Sequence, residues 1–125
     1  MILYHQIDLG TDISVAAATA RDWYLPFLLP GKWQIRSVSW IPHDAVTANG
    51  TNFTTFTLTN ATATTTIATR SYAATNSVAG TPESQTLPTG LAAVISQNDV
   101  LKLAKTESGT GLAARGHMVL NLERV

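Results

Sequence analysis

The sequence contains no cysteine. That excludes disulfides, thiolate metal sites and a cysteine nucleophile. Charge is also scarce: 13% of the 125 residues are charged, eight acidic and eight basic, for a net charge of zero. That is about half the usual charged share. The basic residues Arg21, Lys32, Arg36, Arg70, Lys102, Lys105, Arg115 and Arg124 never form a run. Nucleic acid and acidic membranes are both bound through clustered cations, so neither is expected as a partner. No apolar stretch approaches the ~20 residues of a membrane helix. The longest, residues 23–29, is broken by Pro26 and followed by Pro30. The start, MILYHQIDLG, lacks a basic region followed by an apolar run, so no secretory signal is expected. The chain is 45% hydrophobic, too apolar for disorder. Its length suits one domain with its own core. A lone monomer this poor in charge is colloidally weak, which points to a surface partly covered by other chains.

What the chain has in quantity is threonine. Residues 47–75 read TANGTNFTTFTLTNATATTTIATRSYAAT. Threonine is a strand former with a polar tip, so such a stretch builds sheet and surface rather than an active site. The interleaved Phe53, Phe56, Leu58 and Ile67 show that it folds. Strands are expected at residues 32–42, 53–59, 64–73, 100–105 and 117–125, with a short one near 83–87 and an apolar run at 91–95. Trp33 and Ile35 have one parity and Val38 and Trp40 the other, which predicts a bulge. Met118, Leu120 and Leu122 are expected inward on the terminal strand. Residues 12–21 alternate as Ile13, Val15, Ala17 and Thr19 and are read as a strand, although their alanines also suit a helix. Residues 22–31 carry two prolines and are read as apolar punctuation that plugs the core with Trp23, Phe27 and Leu28. Short strands at this spacing define a sandwich or barrel. The expected fold is all-β: a single-domain, jelly-roll-like antiparallel Greek-key β-sandwich over residues 12–125. An N-terminal arm or edge strand precedes it at residues 1–11.

Chemistry is sparse. His5 and Asp8, and His43 and Asp44, lack the spacing of helical metal ligands or a zinc knuckle, and the histidines read as surface residues. No Gly-x-Ser-x-Gly nucleophile motif occurs. Glu83, Glu107 and Glu123 are isolated, whereas a glycosidase needs two carboxylates across a cleft. Ser108-Gly109-Thr110-Gly111 lacks the Lys-Ser/Thr ending of a phosphate loop and is read as a hairpin connection. Asn49, Asn52 and Asn60 head glycosylation sequons of the kind a threonine-rich chain produces by chance. Neither catalytic residues, a metal site nor a cofactor is expected, and the chain is not read as an enzyme. Trp23, Tyr24, Trp33 and Trp40 cluster early. Buried they are core; exposed they are a platform for sugar rings. Burial is the preferred reading.

A set of soft motifs carries a resemblance. It comprises Trp33 to Pro42 (WQIRSVSWIP), Asn49-Gly50-Thr51-Asn52, the loop Ser77-Val78-Ala79-Gly80-Thr81, and Asn98-Asp99-Val100-Leu101-Lys102-Leu103. Ser108-Gly109-Thr110-Gly111-Leu112 and the strand from His117 complete it. Over residues 32–125 the chain resembles the small β-sandwich head decoration (cement) proteins of tailed bacteriophages, with Asn98 where that pattern usually has glycine. The resemblance implies a virion protein on the outer capsid surface, made in the host cytoplasm. It implies the major capsid protein and further copies of itself, as a trimer, as partners. The apolar residues Ile2, Leu3, Tyr4, Ile7 and Leu9 are then the expected capsid or inter-subunit contacts, by strand addition. An ordinary first strand of the chain's own sandwich is the competing reading of that segment. The alternative function is a phage tail or receptor- or carbohydrate-binding module.

Overall fold

A computed structural model describes residues 3–10 and 20–125. Nine strands occur there: β1 (Tyr4–Gly10), β2 (Arg21–Pro26), β3 (Lys32–Pro42), β4 (Phe53–Asn60), β5 (Thr65–Ser71), β6 (Glu83–Ser84), β7 (Val94–Ser96), β8 (Val100–Ser108) and β9 (Gly116–Arg124). A single 3-10 turn, Gly90–Ala93, precedes β7. One sheet runs β1-β9-β3-β6, with β7 also on β3; the other runs β2-β8-β4-β5. All pairings are antiparallel. If β6 and β7 are taken as one interrupted strand, the pairs nest: β4 with β5, β3 with β6 and β7, β2 with β8, β1 with β9. This is a long antiparallel ribbon folded over itself, the jelly roll. The all-β sandwich expected from the strand pattern is therefore the fold.

Alternation decides what fills the space between the sheets. From the five-stranded sheet come Leu9, Trp33, Ile35, Val38, Trp40, Ile95, Met118, Leu120 and Leu122. Trp23, Phe56, Leu58, Ile67, Leu101 and Leu103 face them from the other sheet. The register of β3 on β9 shifts between Ile35 and Ser37, which is the expected bulge and keeps both tryptophans of β3 inside. Gly116 sits where Trp40 crosses: a Cβ there would lie 2.6 Å from the indole and 2.5 Å from the Ile41 carbonyl oxygen.

Three expectations need correction. Residues 21–26 form a strand, not punctuation; Pro26 ends an edge strand, where a missing N–H is tolerated. Trp23 and Phe27 are buried as expected, but Leu28 is 67% exposed. The segment 109–115 is not a hairpin connection, because β8 and β9 lie in different sheets and it crosses between them. The remaining extents differ only slightly. The strand expected at 83–87 spans Glu83–Ser84 alone, and β8 runs on to Ser108. The strand read over residues 12–21 falls almost wholly outside the described residues.

Candidate functional site

The edges, faces and enclosed polar groups of the sandwich carry its candidate sites. Strand β1 is an edge strand paired along its length with β9, from Tyr4 opposite Glu123 to Gly10 opposite His117. Among the expected contact residues, Leu9 is buried in the core and Ile7 packs partly against it. Leu3 and Tyr4 are exposed, Tyr4 by 70%. Ile2 lies outside the described residues. The β1 edge and the β2 edge flank a largely apolar recess of about 250 Å³ lined by His5, Ile7, Leu25, Phe27, Leu28 and Leu29.

The tryptophans are core. Trp40 is fully buried, stacks on Phe56 with ring centroids 4.5 Å apart, and donates from Nε1 to the Tyr72 hydroxyl at 2.9 Å. Trp33 donates to the Pro30 carbonyl at 3.1 Å and meets Phe27 edge-on. Trp23 is also buried, under the Arg21 guanidinium 5.4 Å from its ring. Tyr24 departs from the group: its side chain is on the outer face and 60% exposed.

Two cations lie inside the sandwich. Phe56 is paired across β4 with Lys105 on β8 and Arg70 on β5, so all three project inward at one level. Arg70 donates from Nε to Glu83 at 2.5 Å. Its other nitrogens bond the carbonyls of Ser71, Thr75 and Asn76 and the Ser77 hydroxyl. Ser77 in turn donates to Glu83 at 2.5 Å and lies 2.9 Å from the Tyr72 hydroxyl. The chain from Trp40 through Tyr72 and Ser77 to Glu83 ties residues 73–82 to the core. Arg70 is thus held by one carboxylate, three carbonyls and a hydroxyl. Lys105 is wholly inaccessible and paired with Glu107. Glu107 also accepts from the Thr54 hydroxyl at 2.6 Å, and Thr54 Oγ1 accepts the Leu112 N–H at 2.9 Å. This network closes the end of the sandwich beneath the 109–115 crossover. Burial holds the Lys105 ammonium below its ordinary value of 10.5.

The histidines pair as no sequence spacing suggests. His43 Nε2 and His117 Nδ1 are 2.7 Å apart, one after β3 and one on β9. Beside them Arg115 bonds Asp44 at 3.3 Å. His117 is held below its ordinary value of 6.5, first by burial and then by His43, against an upward pull from Asp8. The unfolded chain thus binds the extra proton more readily. The stability this gives the fold is present above pH 6.5 and lost as pH falls through the lowered value. Urea midpoints are expected to fall between pH 7.5 and pH 5, and His117→Asn to fall less; parallel curves for the two proteins contradict this. Among the described residues no group of three or more His, Cys, Asp or Glu is placed to hold a metal ion.

The outer face of the four-stranded sheet is almost a threonine array. Thr55, Thr57 and Thr59 of β4 stand beside Thr106 of β8 and Thr66 and Thr69 of β5. Asp22 and Lys102 are its only charges at paired positions. The TxTxT alternation was the legible signal for this face. Nothing comparable announced the inward Arg70 and Lys105: Lys105 shares the parity of Leu101 and Leu103, whereas Arg70 is opposite in parity to the inward Ile67 and joins it only because the β4–β5 register shifts between Leu58 and Thr59. Comparisons with protein-family models, with curated proteins and with solved structures give no match.

Proposed function

We propose that this jelly roll is a structural virion protein that binds the outer surface of an assembled phage head and braces neighbouring major capsid subunits. The supporting observation is the threonine face with all three tryptophans internal. A neutral, hydrogen-bonding surface is covered by another protein without the cost of stripping water from charge. The three tryptophans are enclosed, which leaves Tyr24 as the exposed member of the early aromatic cluster that the carbohydrate-binding alternative would use. Jelly rolls recur in viral shells, but they recur in lectins too, so the fold alone does not assign the role.

In this reading the exposed residues at the start of β1, Leu3 and Tyr4, contact the capsid or a neighbouring protomer of a trimer. Removing residues 1–9 would strip β9 of one of its two partners, so point changes are the cleaner probe. The folded protein is expected to co-sediment with expanded capsids but not with unassembled capsid protein, and to be a trimer by light scattering. Tyr4→Asp and Thr57→Lys are each expected to weaken binding without unfolding the chain. A monomer that ignores assembled capsids overturns the proposal.

A further inference from the structure

His43 and His117 close one end of the five-stranded sheet. The β3–β9 ladder sets Ile41 opposite His117 and Pro42 opposite Gly116. The His43 N–H continues that ladder by donating to the Arg115 carbonyl at 2.9 Å. The His43 ring then reaches diagonally to His117, two residues along the facing strand, a span that long side chains cover. The rings meet edge to face with centroids 4.8 Å apart. On its other side His117 is paired with Gly10 of β1, where a Cβ would lie 2.6 Å from the His117 Cβ, so glycine there leaves the histidine its place. Among the described residues, the charged groups that face the pair are Asp8 on β1, Asp44 in the loop after β3 and Arg115 in the crossover; the last two bond each other.

We infer that His43 and His117 form a one-proton latch, closed while at most one ring is charged and opened by the second proton. Two imidazole nitrogens 2.7 Å apart hold one hydrogen between them. His43 is exposed and His117 half-buried, so a charge is better tolerated on His43. His43 therefore donates from Nε2, and His117 accepts at Nδ1 and carries its own hydrogen on Nε2. A first proton enters at His43 Nδ1, away from the contact, and leaves a charge-assisted bond in place. A second must enter at His117 Nδ1, where it meets the His43 N–H. The bond is lost and two like charges repel. Burial and the adjoining His43 both hold His117 below its ordinary value against the pull of Asp8, in keeping with that order.

The latch fastens the loop that leaves β3 to the crossover that enters β9. Its release frees residues 43–45 and 113–115 while the sandwich stays folded. Val46 remains bridged to Ser77, and the N–H groups of Thr110 and Leu112 remain on Asn52 and Thr54. His117 alternates with the buried Met118, which sets the pair on the outer face of the five-stranded sheet, away from the threonine face. The inference therefore does not depend on the capsid reading.

Nitrogen-15 NMR of the histidine rings from about pH 8 to about pH 4, with amide hydrogen exchange of the whole chain, tests it. His117 is expected as the Nε2–H tautomer at neutral pH, and the rings are expected to titrate in two separate steps, His43 first. Protection of the His43 amide is expected to hold through the first step. On approach to the second it is expected to fall by up to about tenfold per pH unit, as one linked proton requires. Leu58 and Leu103 are expected to stay more protected throughout. In His117→Asn the side-chain carbonyl still accepts from His43 and takes up no proton, so the His43 amide is expected to stay protected across the range. An unchanged spectrum elsewhere verifies the fold of that variant, and the wild-type titration decides by itself if the variant does not fold. An Nδ1–H tautomer of His117 at neutral pH overturns the inference. So does protection lost with the first proton, a His43 amide that is never less protected than Leu58 and Leu103, or a His117→Asn variant that opens as the wild type does.

Discussion

Trp40→Ala is expected to destabilise the protein by about 3–5 kcal/mol, the usual range for removing a large aromatic from a core. Trp40 is fully buried, stacks on Phe56 and anchors the hydrogen-bond chain through Tyr72 and Ser77 to Glu83. Its loss therefore opens a cavity between the sheets and removes a donor from a buried hydroxyl. At roughly 4 °C per kcal/mol for a domain of this size, the melting temperature is expected to fall by on the order of 15 °C. Trp40→Phe keeps a ring over Phe56 and loses the N–H, so it is expected to recover much of that stability. Calorimetry of the two variants separates the packing contribution from the polar one. A drop below about 2 kcal/mol for Trp40→Ala would mean that the two sheets close over the gap.

Glu107→Gln is expected to cost a similar amount, about 3–5 kcal/mol, because it removes a carboxylate from a buried ion pair and leaves the ammonium in place. Lys105 is wholly inaccessible and Glu107 nearly so, which denies the lysine water as a substitute partner. The double change Lys105→Met, Glu107→Leu is expected to return close to wild-type stability, since a buried ion pair is often replaceable by apolar residues of similar volume. Thr54 keeps a partner in that variant, the Leu112 carbonyl at 2.9 Å. Urea unfolding of the single and double variants checks both results; a double variant as weak as Glu107→Gln contradicts the account. The pH dependence has a defined sign. Because the Lys105 value is lowered in the fold, the unfolded chain holds the extra proton between that value and 10.5. Stability from this group is therefore expected to rise with pH across that window, and the rise to be absent in Lys105→Met.

Much of the fold was legible because strand alternation is local. The strand over residues 32–42 and its bulge follow from Trp33 and Ile35 against Val38 and Trp40. The inward set of β9 follows from Met118, Leu120 and Leu122. Residues 21–26 were misread because two nearby prolines weigh against a central strand, and nothing in the sequence says that this one lies at an edge. The candidate sites were less legible. Tyr24 was grouped with three tryptophans by proximity along the chain, yet it follows Trp23 by one residue and so faces the other way. His43 and His117 meet only because β3 and β9 are neighbours, across 74 residues of sequence.

By itself the sequence determined that the chain is β, free of disulfides, poor in charge, and faced with threonine along β4. Those properties follow from composition and a period of two, which each segment carries alone. Only the tertiary structure decided which strands pair, that residues 109–115 cross between sheets, that Arg70 and Lys105 are enclosed, and that His43 meets His117. Parity divides a strand into two faces but does not say which is covered. That depends on a partner distant in sequence, and for a cation inside the sandwich it depends on Glu83 or Glu107 arriving from elsewhere in the chain or along the same strand.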